Sequence, residues 1–157
     1  YALEAGAKEV HSLDSSEKAI VLTDRNVAIN FDEKVKHKSI VADTITFLNK
    51  CEEDYDVIIL DPPAYAKNKK SLHNAIQGYK RLNARAFKMM KKGGVLLTFS
   101  CSQVVDRQTF YNTIMAAAIE SGRNVRVMEH LSQPADHPVS MYHPEGAYLK
   151  GLVVYVD

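Results

Sequence analysis

Short runs of β-branched and aliphatic residues alternate along this chain with stretches in which apolar residues recur at helical spacing. This alternation is typical of βαβ units, in which helices join parallel strands and cover the sheet. It predicts strands at 9–13, 39–42, 57–60, 95–99, 125–129 and 149–156. It predicts helices at 16–30, 44–51, 72–90 and 107–121. The sequence therefore indicates an α/β fold with a mostly parallel, twisted sheet.

The connection before the last predicted strand, "LSQPADHPVSMYHPEGAY", is long and contains proline and histidine. A connection of this kind is not a helical crossover. We therefore expect the last strand to run antiparallel to the others, as an edge hairpin.

Composition narrows the class of protein. A chain of 157 residues with 46% apolar residues can bury one core, so we expect a single globular domain over residues 1–157. No apolar run has the ~20 residues of a membrane span. Two cysteines without a Cys-x-x-Cys motif predict neither a disulfide framework nor a metal site, and they suit a reducing cytoplasm.

Charge is balanced overall but unevenly distributed. The net charge is +1, which by itself predicts neither a nucleic-acid nor a membrane partner. Residues 67–92, however, contain nine Lys or Arg and no Asp or Glu. This stretch predicts a local basic surface.

Polar side chains follow the first four predicted strands, where the ligands of open α/β sheets bind. They are Asp14, Asp43, Asp61 and Cys101. Asp14 suits the two hydroxyls of a ribose, but it could equally cap a helix, as Ser15 could. Asp43 could hold an adenine amine, although taken alone it is more typical of a turn or cap.

The motif "DPPAYAK" is more specific. Two consecutive prolines make a stiff extended turn that presents Asp61 to a cleft beyond the strand. Tyr65 then offers an aromatic face for a nucleobase, or else packs on the core. Cys101 could act as a nucleophile if nearby positive charge favours its thiolate, although most cysteines in such runs are inert.

A family resemblance rests on these motifs in order: "EVHSLDSSEKAI", "VADTITFL", "DVIILDPPAYAKNKK", "GYKRLNARAFKMMKKGGVLLTFSCS", "DHPVSMYHPEG" and "YLKGLVVYV". The series resembles the catalytic domain of the bacterial 23S ribosomal RNA cytosine-C5 methyltransferases, which are class I S-adenosylmethionine-dependent enzymes. The resemblance implies a Rossmann-like sheet of seven strands whose last strand is antiparallel. It also implies ribosomal RNA as the partner, with no metal and no membrane, and it leaves a homodimer open.

The same resemblance implies roles for individual residues. Cys101 corresponds to the nucleophile, and Asp61 lies beside the target base. The cofactor would contact Asp14, Ser15, Asp43, Asp61 and Pro62. The RNA would contact Pro63 and Tyr65, and the lysines that follow are placed to meet its phosphates: Lys67, Lys69 and Lys70.

This chain departs from the family pattern in two ways. It begins "YALEAGAKEV", like the end of a helix, and lacks the first strand and glycine-rich loop of class I methyltransferases. We expect a preceding segment or a partner to complete the sheet. Ala64 also stands where related enzymes have a second cysteine, so release by a second thiol is not supported.

Two other functions remain open on sequence. One is a guanine-N2 methyltransferase that uses the Asp-Pro-Pro turn without a nucleophile, against which Ala64 and Cys101 argue. The other is an RNA-binding module without catalysis. Cofactor binding by the intact chain would separate the binding module from the two enzymes. Between the enzymes, unimpaired methyl transfer by Cys101→Ala would exclude the thiolate mechanism.

Overall fold

The computed structural model describes residues 1–32 and 35–157. Within these residues the chain forms two compact units, Tyr1–Cys51 and Glu52–Asp157. Among the described residues, no helix combines the length and the apolar composition needed to cross a membrane.

The first unit is a βαβα arrangement. Its elements are β1 (Val10–Asp14), α1 (Glu17–Asn30), β2 (His37–Val41) and α2 (Thr44–Lys50). β1 and β2 are parallel and in register, so that Asp14 lies beside Val41 at the ends of the two strands. Both helices begin at side-chain caps, Ser16 for α1 and Asp43 for α2. A parallel pair with capped helices is what the alternating sequence pattern predicted.

The second unit is a four-stranded mixed sheet with two long helices. Its elements are β3 (Tyr55–Leu60), α3 (Leu72–Met89), β4 (Met90–Ser100), α4 (Arg107–Ser121), β5 (Val125–Leu131) and β6 (Lys150–Val156). The strand order is β3-β4-β6-β5. β3 and β4 are parallel, and β6 runs antiparallel to both β4 and β5. The antiparallel last strand confirms the prediction.

The core of the second unit lies where α3 meets β4 and α4. Tyr79 and Phe87 of α3 are completely buried, and so is Leu96 of β4. Tyr79 meets Phe110 of α4 edge to face, with ring centroids 5.7 Å apart. Aromatic pairs in this geometry add to the free energy of burial. α3 therefore anchors the unit through its apolar face and leaves its basic face exposed.

The prediction that β6 lies at an edge is wrong. β6 lies between β4 and β5, and β5 is the edge strand. Val154 and Val156 of β6 are fully buried, whereas Met128 and Glu129 of β5 are exposed. A strand that is apolar on both faces is stable only inside a sheet, because its neighbours and the covering helices keep it from water.

Predicted element bounds agree with the structure to within a few residues, with one larger difference. The sequence predicted that a helix ends at Met90 and that the next strand begins at Val95. Instead β4 begins at Met90, directly after α3. Gly94 permits β4 to approach β3 closely at this point, since a Cβ on residue 94 would lie 2.9 Å from the backbone oxygen of Asp56 in β3. The six described strands form two sheets rather than a continuous one.

Candidate functional site

In the first unit, Asp14 lies at the exposed carboxyl end of β1. Its Oδ1 accepts a hydrogen bond of 2.7 Å from the backbone N–H of Ser16. The helix cap itself is Ser16, whose Oγ accepts from the N–H of Ala19. Asp14 therefore stabilises the turn without being the cap. A carboxylate has four acceptor positions, so this one bond leaves capacity for ligand hydroxyls.

Asp43 is the N-cap of α2, which agrees with its interpretation from the sequence as a turn or cap residue. Its Oδ1 accepts hydrogen bonds from both the backbone N–H and the hydroxyl of Thr46, each 2.8 Å long. These bonds, the backbone one foremost, hold the pKa of Asp43 below its usual value. Asp43 is thus an anion at neutral pH, and its side chain is exposed.

In the second unit, Asp61 and Cys101 follow two neighbouring strands. β3 and β4 are parallel, with Leu60 beside Thr98, so the residues after both strands lie at the same edge of the sheet. Asp61 is exposed and Cys101 is half-buried. Burial raises the pKa of the Tyr79 hydroxyl, and negative charge on Cys101 and Asp61 adds smaller contributions in the same direction. The structure therefore brings the predicted acid and the predicted nucleophile to one place.

A buried serine joins the two loops that carry these residues. The Ser102 hydroxyl donates a hydrogen bond of 2.8 Å to the carbonyl oxygen of Ala66, at the end of the Asp-Pro-Pro turn. Ser102 and Ala66 are 1% and 2% exposed. Because water cannot replace this bond, breaking it would leave a buried carbonyl without its partner. The contact fixes the Asp61 loop relative to the Cys101 loop.

The Tyr79 hydroxyl makes a second link between these loops. It accepts a hydrogen bond of 3.0 Å from the Oγ of Ser100, which directly precedes Cys101. It also makes a hydrogen bond with the backbone of Tyr65. Tyr79, Ser100 and Ser102 form a buried polar network below the candidate site. Sequence patterns carried no signal of this network, since its contacts from Ser100 to Tyr79 and from Ser102 to Ala66 join residues that are distant in sequence.

Tyr65 packs on α3. Its ring centroid is 4.7 Å from that of Tyr79, and its Cδ2 lies 2.9 Å from where a Cβ on Gly78 would be. Gly78 is therefore the space that receives the half-buried Tyr65 ring. The interpretation of Tyr65 as a core-packing residue agrees with this geometry, and its stacking on a base stays a prediction.

The three predicted RNA-contacting lysines are exposed and follow the Asp-Pro-Pro turn: Lys67, Lys69 and Lys70. Lys69 and Lys70 lie in a 3₁₀ turn, Lys69–Ser71, capped by the Asn68 side chain. Pro63 is exposed and Pro62 is half-buried. The segment thus presents positive charge from an ordered turn.

Lys150, at the start of β6, is a residue that the sequence analysis missed. It is 5% exposed, and burial lowers its pKa to about 8. The available signal was a single lysine within the apolar run "YLKGLVVYV".

Among the described residues, no cluster of three or more His, Cys, Asp or Glu side chains could hold a metal ion.

Comparison with solved structures defines the class of fold. The chain superposes on the crystal structure of SMU.776 complexed with SAH, with a TM-score of 0.81 at 20% identity. The match covers 98% of this chain and 40% of that chain. The protein therefore has the α/β fold of S-adenosylmethionine-dependent methyltransferases.

Curated relatives of this chain share one particular name. The chain is 41% identical over 157 residues to the protein named Ribosomal RNA large subunit methyltransferase I in Tolumonas auensis. It is also 41% identical to the protein of the same name in Aeromonas hydrophila. In each case the match covers 98% of this chain, which spans 40% of the length of the relative. No protein-family model matches the sequence.

Proposed function

We propose that this protein transfers a methyl group from S-adenosylmethionine to C5 of a cytosine in large-subunit ribosomal RNA, through a covalent intermediate on Cys101. The observation that carries this proposal is the placement of Asp61 and Cys101 at the ends of adjacent parallel strands. The hydrogen bond from Ser102 to Ala66 holds their loops together. On this proposal residues 1–157 are part of one methyltransferase domain that acts in the cytoplasm.

The names of the relatives support the RNA substrate. Both relatives described above are called large-subunit ribosomal RNA methyltransferases, and 41% identity extends over nearly the whole of this chain. Those names specify neither the nucleotide nor the atom that is methylated. The assignment to cytosine C5 rests on the side chains at the strand ends, Cys101 above all.

The reaction requires a thiolate because cytosine C5 is a weak nucleophile. Attack of the Cys101 sulfur on C6 makes a new C–S bond and moves electron density to C5, as in other covalent catalysis. The Asp61 carboxyl group would hydrogen-bond the N3 and N4 edge of the base, with the N4 amine as donor, and so stabilise the charge that develops there. After methylation a base takes the C5 proton, the C5–C6 double bond re-forms and the C–S bond breaks, which releases Cys101 as a thiolate.

S-adenosylmethionine supplies the methyl group, and the acceptors in the first unit fit its adenosine. We propose that Asp14 and Ser15 contact the ribose hydroxyls and that Asp43 contacts the adenine amine. Both carboxylates are exposed at strand ends, and the local bonds of Asp14 and Asp43 each involve Oδ1. Their remaining oxygens match the hydroxyl and amine donors of adenosine.

In the second unit, we propose that Asp61 and Pro62 contact the cofactor at the reacting end. Pro63 and Tyr65 would contact the target nucleotide, and Lys67, Lys69 and Lys70 the neighbouring phosphates. Extrusion of the base from an RNA helix costs a few kcal/mol, and less from a loop. Exposed lysines beside the turn offset part of that cost through phosphate contacts.

The test is removal of the thiol in the full natural chain. Cys101→Ala should reduce methyl transfer to large-subunit ribosomal RNA by roughly 10⁴-fold or more, the scale seen when a covalent nucleophile is deleted. Cys51→Ala, which removes the other cysteine, should leave the rate within about twofold because Cys51 follows α2 and is not among the residues proposed to contact the cofactor or the RNA. Methyl incorporation is measured with radiolabelled cofactor.

A trapping experiment identifies the reacting atom. RNA that contains 5-fluorocytidine cannot lose a proton from C5, so the bond to Cys101 should persist and appear as a protein–RNA adduct by mass spectrometry. Undiminished methylation by Cys101→Ala, or no adduct with an otherwise active protein, would rule out the thiolate mechanism.

A further inference from the structure

Lys150 is a buried cation that the proposed mechanism does not yet use. Its Nζ donates a hydrogen bond of 2.6 Å to the carbonyl oxygen of Ser102 and one of 2.8 Å to that of Tyr148. Ser102 directly follows Cys101 in the chain. Burying an ammonium group is costly unless partners surround it, so a lysine at 5% exposure needs a structural or chemical reason.

Lys150 contacts both residues that flank Cys101 in the chain. On one side, the backbone of Lys150 pairs with Ser100 in the antiparallel β4–β6 ladder. On the other side, its side chain holds the Ser102 carbonyl. The residue between Ser100 and Ser102 is Cys101, so one residue of β6 restrains the backbone both before and after the thiol.

Three charged groups act on Lys150. Cys101 makes the largest contribution among them and favours the charged lysine, as does Asp106, while Arg107 opposes it. The Asp106 carboxylate caps α4 through the N–H of Thr109, and it is exposed. The Arg107 guanidinium donates to the carbonyl oxygens of Leu131 and Leu149. The thiol is therefore the ionisable group that is coupled most strongly to the buried amine.

Coupling between two charges is mutual. If a Cys101 thiolate favours the protonated form of Lys150, then protonated Lys150 favours the thiolate by the same free energy. A nearby cation is the environment in which cysteines become nucleophilic at neutral pH. Because burial lowers the pKa of Lys150 only to about 8, most molecules keep the charge at neutral pH.

We propose that Lys150 is a positioning residue for Cys101, which fixes the Cys101–Ser102 backbone and supplies the positive charge that stabilises the thiolate. This inference rests on the proposed role of Cys101 as the nucleophile. In the ionisation step the S–H bond breaks and the proton passes to solvent. Lys150 keeps its proton, and the resulting pair has no net charge.

Alkylation of Cys101 by iodoacetamide tests this without any methyl transfer, because only the thiolate reacts. The experiment uses the full chain in a Cys51→Ala background and measures the alkylation rate as a function of pH. In Lys150→Met the alkylation profile should move to higher pH, so that alkylation near neutral pH falls roughly tenfold. Lys88→Met, which removes an exposed lysine of α3, is the matched control and should leave the profile unchanged.

Lys150→Gln separates charge from hydrogen bonding. Glutamine can donate two N–H groups to the same two carbonyls but has no charge. We expect it to melt closer to the parent than Lys150→Met does, while its alkylation profile moves upward as in Lys150→Met. This variant also keeps the test decisive if Lys150→Met does not fold, which circular dichroism would reveal.

The proposal is overturned if folded Lys150→Gln reacts with the same pH profile as the parent. A failure of the thiolate mechanism looks different, since Cys101→Ala would then still methylate RNA whatever the alkylation profile shows. If alkylation moves as expected and Lys150→Gln also lowers the methylation rate most strongly at low pH, both proposals are supported.

Discussion

Thr98 and Thr113 are buried threonines of the second unit with opposite hydrogen-bonding states. Thr98, on β4, is fully buried, and its Oγ1 has no hydrogen-bond partner among the described residues. Thr113, on α4, is 4% exposed and donates a bond of 2.7 Å to the carbonyl oxygen of Thr109. An unpaired buried hydroxyl costs more than a paired one contributes. The two positions therefore respond differently to the same isosteric change.

Thr98→Val should raise the free energy of unfolding by about 1 to 2 kcal/mol, because it removes an unpaired buried hydroxyl from a strand position that suits valine. Thr113→Val should lower it by about 0.5 to 1.5 kcal/mol, since a satisfied bond is lost. Urea denaturation measures both. A destabilised Thr98→Val would indicate that Oγ1 has a partner, such as an ordered water.

Arg123 connects several elements of the second unit through one side chain. It lies between α4 and β5, and its Nη1 donates to the carbonyl oxygens of Phe87 and Met90, at the junction of α3 and β4. Its Nε donates to the carbonyl of Asp157, after β6. The planar guanidinium satisfies three carbonyls at once, a geometry that a lysine cannot reproduce.

Arg123→Lys should therefore lower the free energy of unfolding by about 1 to 3 kcal/mol. The control is Arg126→Lys, which alters a neighbouring arginine whose partner is the Asp157 carboxylate and whose side chain is 73% exposed. Exposed ion pairs contribute little, so that change should stay within about 0.5 kcal/mol. Equal losses in the two variants would contradict the role assigned to the three carbonyl contacts.

At the scale of the whole molecule, the distribution of charge predicts a basic surface that the net charge does not reveal. The formal charge of +1 gives no reason to expect RNA binding, yet the basic residues are concentrated in 67–92. Within that stretch three groups are exposed: the lysines of the Asp-Pro-Pro turn, the α3 residues Arg81, Arg85 and Lys88, and Lys91 and Lys92 of β4. Only the first group is adjacent to the loop that carries Asp61. Phosphate contact at that turn would make binding depend strongly on salt.

Changing Lys67, Lys69 and Lys70 together to Gln should reduce the slope of log affinity against log salt by about 2 for a single-stranded RNA, because three phosphate contacts are lost. Changing Arg81, Arg85 and Lys88 on α3 together to Gln removes the same charge and should alter the slope much less. Fluorescence anisotropy at several salt concentrations measures both. Equal effects would mean that RNA senses the overall charge and not the turn.

Periodicity and turn chemistry along the chain were sufficient to predict the strands, the helices and the reversed direction of β6, because these depend on neighbouring residues. The strand-end rule likewise predicted that Asp61 and Cys101 would lie together, since parallel strands bring their carboxyl ends to one edge. In "DPPAYAK" the prolines determined a stiff turn after β3. These features follow from local sequence alone.

Tertiary structure decided the order of the strands and the contacts between residues that are distant in sequence. It placed β6 between β4 and β5, brought the Lys150 amine to the Ser102 carbonyl and used Gly78 to receive the Tyr65 ring. Each of these contacts joins residues that are distant in sequence, so each depends on how the elements pack. The physical reason is burial: strand order and the partners of polar groups are chosen together by excluding apolar surface and unpaired charge from the interior.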